Sequence, residues 1–334
     1  MNKTKIAILG AGNMATALAF HLAKQNNTVH LYCIEPDVEQ QINKGHCNNK
    51  YMPGTKLPSS ILASHEIDKC LDQANYVIIA IPSHVAVSVL KLALPHLNKK
   101  TIVINISKGF DEKTLNPVVI SLQRALPKTM QKQICMIGGP AIATEMVKDS
   151  PIALVIACEY KETREKVVKL FRGRNVKTAQ SKDLLGVGLA ASLKNAYAIA
   201  LGFCDGLKYS TNAKAFIVTM AVSEMAGIML KDKADPKTAS SLAGIGDLLV
   251  TGWSPHGRNR RYGEKLINSK TNDVKKLGLT TVEGIRASEI GLRLSKKLNA
   301  KTPLLDAINK GIHSKNNFHK PFVNYIKTVK LELI

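Results

Sequence analysis

The segment from Lys3 to Glu35 constrains this chain more than any other stretch. Lys3–Leu9 (KTKIAIL) is a short apolar run bounded by charge, the pattern of a buried parallel strand. Gly10-Ala11-Gly12-Asn13-Met14-Ala15 follows, and Thr16–Lys24 then carries apolar residues at helical spacing. This is G-x-G-x-x-A between a strand and a helix. Gly10 permits the tight turn, Gly12 lets backbone approach a pyrophosphate, and Ala15 lets helix and strand pack closely. The N–H groups at the helix start then face the anionic bridge. Thr28–Cys33 reads as a second strand that ends at Glu35. An acid about 20 residues past the turn is placed to accept ribose hydroxyls and to repel a 2′-phosphate. The unit therefore predicts dinucleotide binding, with NAD favoured and NADP left open by nearby lysines.

The alternation continues. Strand-like runs Tyr76–Ile81, Thr101–Ile106, Ile134–Ile137 and Ala153–Cys158 are separated or followed by helical segments His84–Leu97, Thr114–Leu126 and Lys161–Phe171. Asn43–Pro58 is rich in turn formers and reads as a loop. Alternating strands and helices predict a doubly wound, mainly parallel sheet. Ligands in such sheets lie at the carboxyl ends of strands, which groups Pro82, Lys108 and Gly138–Pro140 with Gly10–Ala15.

After Ser181 the pattern turns helical and clear strands cease. We place a domain boundary there: residues 1–181 form the α/β dinucleotide-binding domain and 182–334 an all-α substrate-binding and catalytic domain. The first helix, Leu184–Leu201, belongs to an apolar stretch with Lys194 and Asn195 in its middle. An unpaired buried ammonium is costly, so Lys194 must face a polar opening or a partner. Counted on either side of Lys194, the apolar runs are shorter than the ~20 residues that cross a bilayer, so no membrane span is expected. Ala213–Leu230, Lys237–Leu249, Arg258–Asn268, Val282–Leu298 and Leu304–Ile312 are further helical segments. Asp247 lies after two glycines, where a helix cap is the ordinary role. Trp253–Gly263 (WSPHGRNRRYG) gathers three arginines around Asn259, a chemistry suited to phosphate. The tail Asn317–Ile334 has a mixed apolar-basic pattern with no assigned role.

Charge and cysteines narrow the setting. The formal net charge is +22, yet the lysines are dispersed and no basic-aromatic interleaving occurs, so a nucleic-acid partner is set aside in favour of small anionic substrates. The N-terminus lacks a long apolar run followed by a small-residue cleavage site, and no signal peptide is expected. Six scattered cysteines without a C-x-x-C pair read as reduced core residues of a cytoplasmic protein, neither disulfides nor metal ligands.

Gly10–Leu18 (GAGNMATAL), Pro82–His84 (PSH), Ser107–Gly109 (SKG), Gly139–Glu145 (GPAIATE), Leu193–Ile199 (LKNAYAI), Gly202–Gly206 (GFCDG), Gly244–Leu248 (GIGDL), Gly257–Arg260 (GRNR) and Val282–Gly284 (VEG) together resemble the NAD(P)-dependent sn-glycerol-3-phosphate dehydrogenase family nearly end to end. The resemblance implies a Rossmann domain followed by a helical domain of the 6-phosphogluconate-dehydrogenase-like type. It implies reversible reduction of dihydroxyacetone phosphate, with Lys194 as general acid/base assisted by Asp247. Lys108, Gly139, Ala141, Asn195, Thr251, Gly257, Arg258 and Asn259 are implied at the substrate. Gly10, Gly12, Asn13, Met14, Ala15, Glu35, Pro82, Lys108, Ala143, Arg258 and Glu283 are implied at the cofactor. A homodimer and a role in glycerophospholipid synthesis are implied as well. The chain departs from the family pattern in having Ala141 where bacterial members often carry Ser or Thr, Gly257 in place of Ser, and Met14 in place of an aromatic residue. Ile34 also replaces the Arg or His that meets a 2′-phosphate. A related phosphorylated or acidic substrate, and a nicotinamide-binding sensor without catalysis, are the alternatives. The arginine loop speaks for a phosphorylated substrate, and the presence of Lys194 and Asp247 speaks against the sensor.

Overall fold

The computed structural model describes residues 4–315 and 317–330. The chain forms two compact units, Met1–Asp111 with Asn116–Gly188, and Glu112–Leu115 with Leu189–Ile334.

Among the described residues the first unit holds ten strands: β1 (Lys5–Leu9), β2 (Thr28–Tyr32), β3 (Cys47–Asn48), β4 (Met52–Lys56), β5 (Ile61–Ser64), β6 (Tyr76–Ile79), β7 (Ile102–Asn105), β8 (Ile134–Gly138), β9 (Ile152–Ala157) and β10 (Val176–Ser181). Its helices are α1 (Asn13–Ala23), α2 (Pro36–Gly45), α3 (Ile67–Leu71), α4 (Ser83–Ala93), α5 (Val118–Ala125), α6 (Ala143–Met146) and α7 (Lys161–Phe171). Eight strands make one sheet in the order β10-β9-β8-β7-β6-β1-β2-β5. Every pairing within this sheet is parallel except β8 with β9. The central strands are continuous apolar runs because both faces are covered: Ile6, Ile8, Val77, Ile78, Val103 and Ile104 are fully buried. The strand order reverses between β1 and β6, the switch point at which such sheets bind ligands.

In this unit the structure differs from the sequence expectation at the hairpin and at β10. Asn43–Pro58 is not an open loop: β3 and β4 pair there as a short antiparallel hairpin. The residues preceding Ser181 form β10, whose polar, half-buried pattern hides a strand from hydrophobicity alone. It is held by a full parallel register with β9, from Val176↔Ile152 to Ser181↔Ala157.

The second unit is helical: α8 (Leu184–Gly206, rooted in the first unit), α9 (Thr211–Lys231), α10 (Asp247–Trp253), α11 (Arg258–Ile267), α12 (Glu283–Lys297), α13 (Pro303–Ile312) and α14 (Lys320–Thr328). The expected helix over Lys237–Leu249 is instead a 3-10 turn (Pro236–Ser240), a π turn (Leu242–Gly246) and the start of α10. Around α8 the others gather. A Cβ at Gly202 would fall 1.9 Å from the Arg260 carbonyl oxygen, and one at Gly263 would fall 2.2 Å from that of Ile199. α8 and α11 thus cross with backbones in contact, which only glycine permits. Phe203 of α8 meets Phe322 of α14 edge-on at 5.3 Å between centroids, so the C-terminal tail packs on the central helix. Residues 331–334 of that tail lie outside the described residues.

α8 also corrects the membrane argument. Lys194 does not interrupt the helix, which runs over 23 residues and holds an 18-residue window of mean hydropathy 1.5, long and apolar enough for a bilayer by composition; 94 % of that window is buried inside the fold. α9 matches it in hydropathy but is 39 % buried. Five of the six cysteines are buried, and Cys47 is partly so.

Candidate active site

Lys194 solves its burial problem by pairing. The side chain is only 5 % exposed, and Asp247 only 2 %. Lys194 Nζ donates to Asp247 Oδ1 at 2.9 Å and to Thr251 Oγ1 at 2.5 Å. Thr251 in turn donates to the Asp247 carbonyl at 2.7 Å, as a helical hydroxyl does one turn on. Asp247 begins α10 directly after the π turn, which aims the acid at α8. A buried ion pair persists only where such added hydrogen bonds complete its geometry.

The neighbouring residue opens a second chain of contacts. Asn259 Nδ2 donates to Asn195 Oδ1 at 2.9 Å, and Gly284 N donates to Asn259 Oδ1 at 2.9 Å. Asn195 Nδ2 reaches Glu283 Oε2 at 3.5 Å. Asn195 and Asn259 are both buried, so their amides set positions between α8, α11 and α12. Arg258 occupies the first turn of α11 and is exposed, beside backbone N–H groups with no side-chain cap. That combination receives an anion well. Gly257 is also accounted for: a Cβ there would lie 2.4 Å from the Thr251 carbonyl oxygen, so this backbone has no room for a side chain.

The arginine cluster does not act as one group. Arg260 is ion-paired to Asp205 of α8, which also holds Lys214 of α9. Arg260 further donates to the Ser254 carbonyl at 3.1 Å. It ties helices together and leaves Arg258 as the exposed member. Sequence reading missed Asp205, whose spacing from Arg260 carries no local signal. It also missed Glu224. That buried carboxylate accepts from Tyr197 Oη at 3.0 Å and from the backbone N–H groups of Leu304 and Leu305 at 2.5 and 3.0 Å. It caps α13 from α9 and grips α8 three residues past Lys194. Burial pushes its pKa up to about 7, more than those donors pull it down.

In the first unit the dinucleotide turn has the required shape. Gly10 has φ +118°, and a Cβ there would strike the Ala80 carbonyl oxygen at 2.6 Å, since the turn crosses the end of β6 at the switch point. A Cβ at Gly12 would meet nothing within 4 Å. That open approach and the uncapped first turn of α1 fit a dinucleotide pyrophosphate. Ala15 is buried against the sheet, Met14 is partly buried and Asn13 is exposed. The parallel neighbours β1, β6, β7 and β8 bring Gly10, Pro82, Lys108 and Gly139 to the same sheet edge. Ser107 Oγ donates to the Ile81 carbonyl at 2.5 Å, fixing the turn before Pro82. Ala141 is half-buried, and Ala143 is buried at the start of α6. Glu35 is not an open acceptor: Lys50 Nζ donates to one of its oxygens and Tyr51 Oη to the other at 2.8 Å.

Comparison with known proteins agrees with this arrangement. Residues 5–164 match the family model for the N-terminus of NAD-dependent glycerol-3-phosphate dehydrogenase, and residues 183–322 that for its C-terminus. A relative from Bacillus velezensis, named glycerol-3-phosphate dehydrogenase [NAD(P)+], is 34 % identical over 91 % of this chain and 89 % of its own. One of the same name from Clostridium perfringens is 35 % identical over 91 % of each. The crystal structure of glycerol-3-phosphate dehydrogenase from Coxiella burnetii superposes with a TM-score of 0.89 at 27 % identity, covering 97 % of this chain and 99 % of that one. With a glycine turn at the sheet's switch point, a buried lysine-aspartate pair in the helical unit and both halves matched in order, the chain belongs to the NAD-dependent glycerol-3-phosphate dehydrogenase family.

Proposed function

We propose that this protein is an NAD(P)-dependent oxidoreductase that reversibly reduces dihydroxyacetone phosphate to sn-glycerol 3-phosphate. The observation that carries the reading is Lys194, buried on α8 with its ammonium directed to Asp247 and Thr251. The nicotinamide, when bound, supplies the hydride that reaches the substrate's ketone carbon. Lys194 Nζ gives its proton to the ketone oxygen, which becomes the alcohol. In reverse, the neutral amine takes that proton as the hydride leaves. Asp247 balances the ammonium form, and Thr251 fixes the direction of Nζ. Asn195 and Asn259 hold the substrate's polar face. Arg258, with the first turn of α11 after Gly257, binds the phosphate, so that binding far from the reacting carbon orients it.

Lys108, Gly139 and Ala141 complete the substrate contacts in this proposal. Gly10, Gly12, Asn13, Met14, Ala15, Glu35, Pro82, Lys108, Ala143, Arg258 and Glu283 serve the cofactor. The functional division we propose is 1–181 for cofactor and 182–334 for catalysis, supported by matched segments that end at 164 and resume at 183. We further propose a cytoplasmic homodimer, without nucleic acid or stable membrane insertion, whose product supplies glycerophospholipid synthesis. Support for an assembly comes from α9, an apolar helix less than half covered by its own chain.

The test is oxidation of NADH and of NADPH with dihydroxyacetone phosphate, run beside unphosphorylated dihydroxyacetone. Turnover with the phosphate and far weaker turnover without it is expected. Folded protein that binds NADH yet turns over neither would refute the function.

A further inference from the structure

The end of β2 carries a contradiction between composition and contacts. Glu35 is the acid that in such sheets accepts the ribose diol and repels a 2′-phosphate. Ile34 beside it is 76 % exposed and offers no positive charge. Read along the strand alone, this position selects against a phosphorylated ribose. Yet both carboxylate oxygens of Glu35 already receive donors from the β3–β4 hairpin: Lys50 Nζ on one, Tyr51 Oη on the other.

The hairpin is anchored on the glycine turn itself. Asn48, fully buried, donates through Nδ2 to the Ala11 carbonyl at 2.9 Å and to Thr16 Oγ1 at 2.8 Å. Asn13 Nδ2 donates to the Tyr51 carbonyl at 2.7 Å, and Met52 is buried. Lys50 therefore stands on a backbone pinned at both sides, while its own side chain is 45 % exposed and held at its tip by Glu35. An ammonium has three donors and a flexible stem, so it can keep Glu35 and take a second anion together. Asp37, in the first turn of α2, is the other acid whose charge acts on Lys50, and Glu39 acts on nearby Cys33; both oppose an incoming phosphate.

We propose that Lys50 is the specificity residue that admits the 2′-phosphate of NADP, so that Glu35 no longer confines the site to NAD. With a free ribose diol, Lys50 stays on Glu35 and makes no contact with the dinucleotide. With a 2′-phosphomonoester, Lys50 neutralises the carboxylate and donates to a phosphate oxygen. The cation comes from the hairpin, because Ile34 and Glu35 at the end of β2 supply none. This rests on the nicotinamide-dependent function proposed above.

The experiment measures dissociation constants of NADH and NADPH by nicotinamide fluorescence on the full chain without substrate. It compares the natural protein with Lys50→Met and Lys50→Arg, each verified by its melting temperature. Displacement by adenosine 2′,5′-bisphosphate and by adenosine 5′-phosphate isolates the 2′-phosphate. The natural protein should bind both dinucleotides. Lys50→Met should weaken NADPH and the bisphosphate by about tenfold or more, the scale of one charge-assisted hydrogen bond, and leave NADH within about threefold. Lys50→Arg should keep NADPH affinity. An unchanged NADPH-to-NADH ratio in Lys50→Met, a loss in Lys50→Arg equal to that in Lys50→Met, or a natural protein that binds NADH alone would overturn the role of Lys50 and leave the enzyme reading standing. A natural protein that binds neither dinucleotide would overturn both.

Discussion

Lys194 and Asp247 lie 53 residues apart, yet their charged atoms meet at 2.9 Å with both residues almost wholly buried. Removing one partner strands the other charge, at a cost of about 3–5 kcal/mol. Lys194→Met should thus lose stability as well as at least about 100-fold in kcat, the lower range for a lost general acid/base. The double variant Lys194→Met/Asp247→Leu should recover the melting temperature without recovering turnover. NADH affinity should persist in both. Turnover near the natural rate in Lys194→Met would remove the lysine from the mechanism.

Arg258 separates phosphate binding from chemistry. Arg258→Ala should raise KM for dihydroxyacetone phosphate by roughly 10- to 100-fold, the worth of charge-assisted hydrogen bonds to an anion. At saturating NADH, the weak activity on unphosphorylated dihydroxyacetone should fall far less than the activity on the phosphate. Arg260→Ala should instead lower the melting temperature, because Arg260 is engaged with Asp205 and Glu264. A KM that does not move in Arg258→Ala would exclude the clamp.

Gly12 offers a test of cofactor placement that leaves the fold alone. Its backbone has φ −71°, open to any residue, and a Cβ meets nothing within 4 Å. Gly12→Ala should melt within a few degrees of the natural protein, yet bind NADH and NADPH many-fold more weakly because the methyl occupies the pyrophosphate approach. Gly10→Ala, which strikes the Ala80 carbonyl, should lose stability as well. Undiminished dinucleotide binding in Gly12→Ala would place the pyrophosphate elsewhere.

Glu224 gives a pH dependence of known sign. Burial raises its pKa from 4.5 to about 7, so the folded state holds this proton more tightly than the unfolded chain does. Stability is fullest below the unfolded value, falls as pH rises from about 4.5 to 7, and then levels, a change on the order of 3 kcal/mol. Glu224→Gln removes that titration. Its melting temperature relative to the natural protein should rise between pH 5 and pH 8. A constant difference across that range would show that Glu224 does not titrate there.

Local chemistry made much of this molecule legible from its residues. The glycine turn, the parallel strands and the apolar helix bearing Lys194 each depend on residues close in sequence, where turn geometry and hydrophobic period act directly. β10 escaped because a polar edge strand is stabilised by its neighbour's backbone, which no pattern of its own side chains records. The hairpin escaped because its turn formers resemble a loop until Asn48 finds Ala11 and Thr16.

What the sequence determined by itself was the inventory: a dinucleotide turn, an acid at the end of β2, a lysine in the middle of an apolar helix, arginines opening α11. Tertiary structure decided the pairings. Asp247 neutralises Lys194, Asn259 orients Asn195 across 64 residues, Arg260 goes to Asp205 and Arg258 stays exposed, and Lys50 covers Glu35. The reason is physical: a buried charge or amide is tolerable only with a partner at hydrogen-bond distance, and packing sets which distant segments reach that distance.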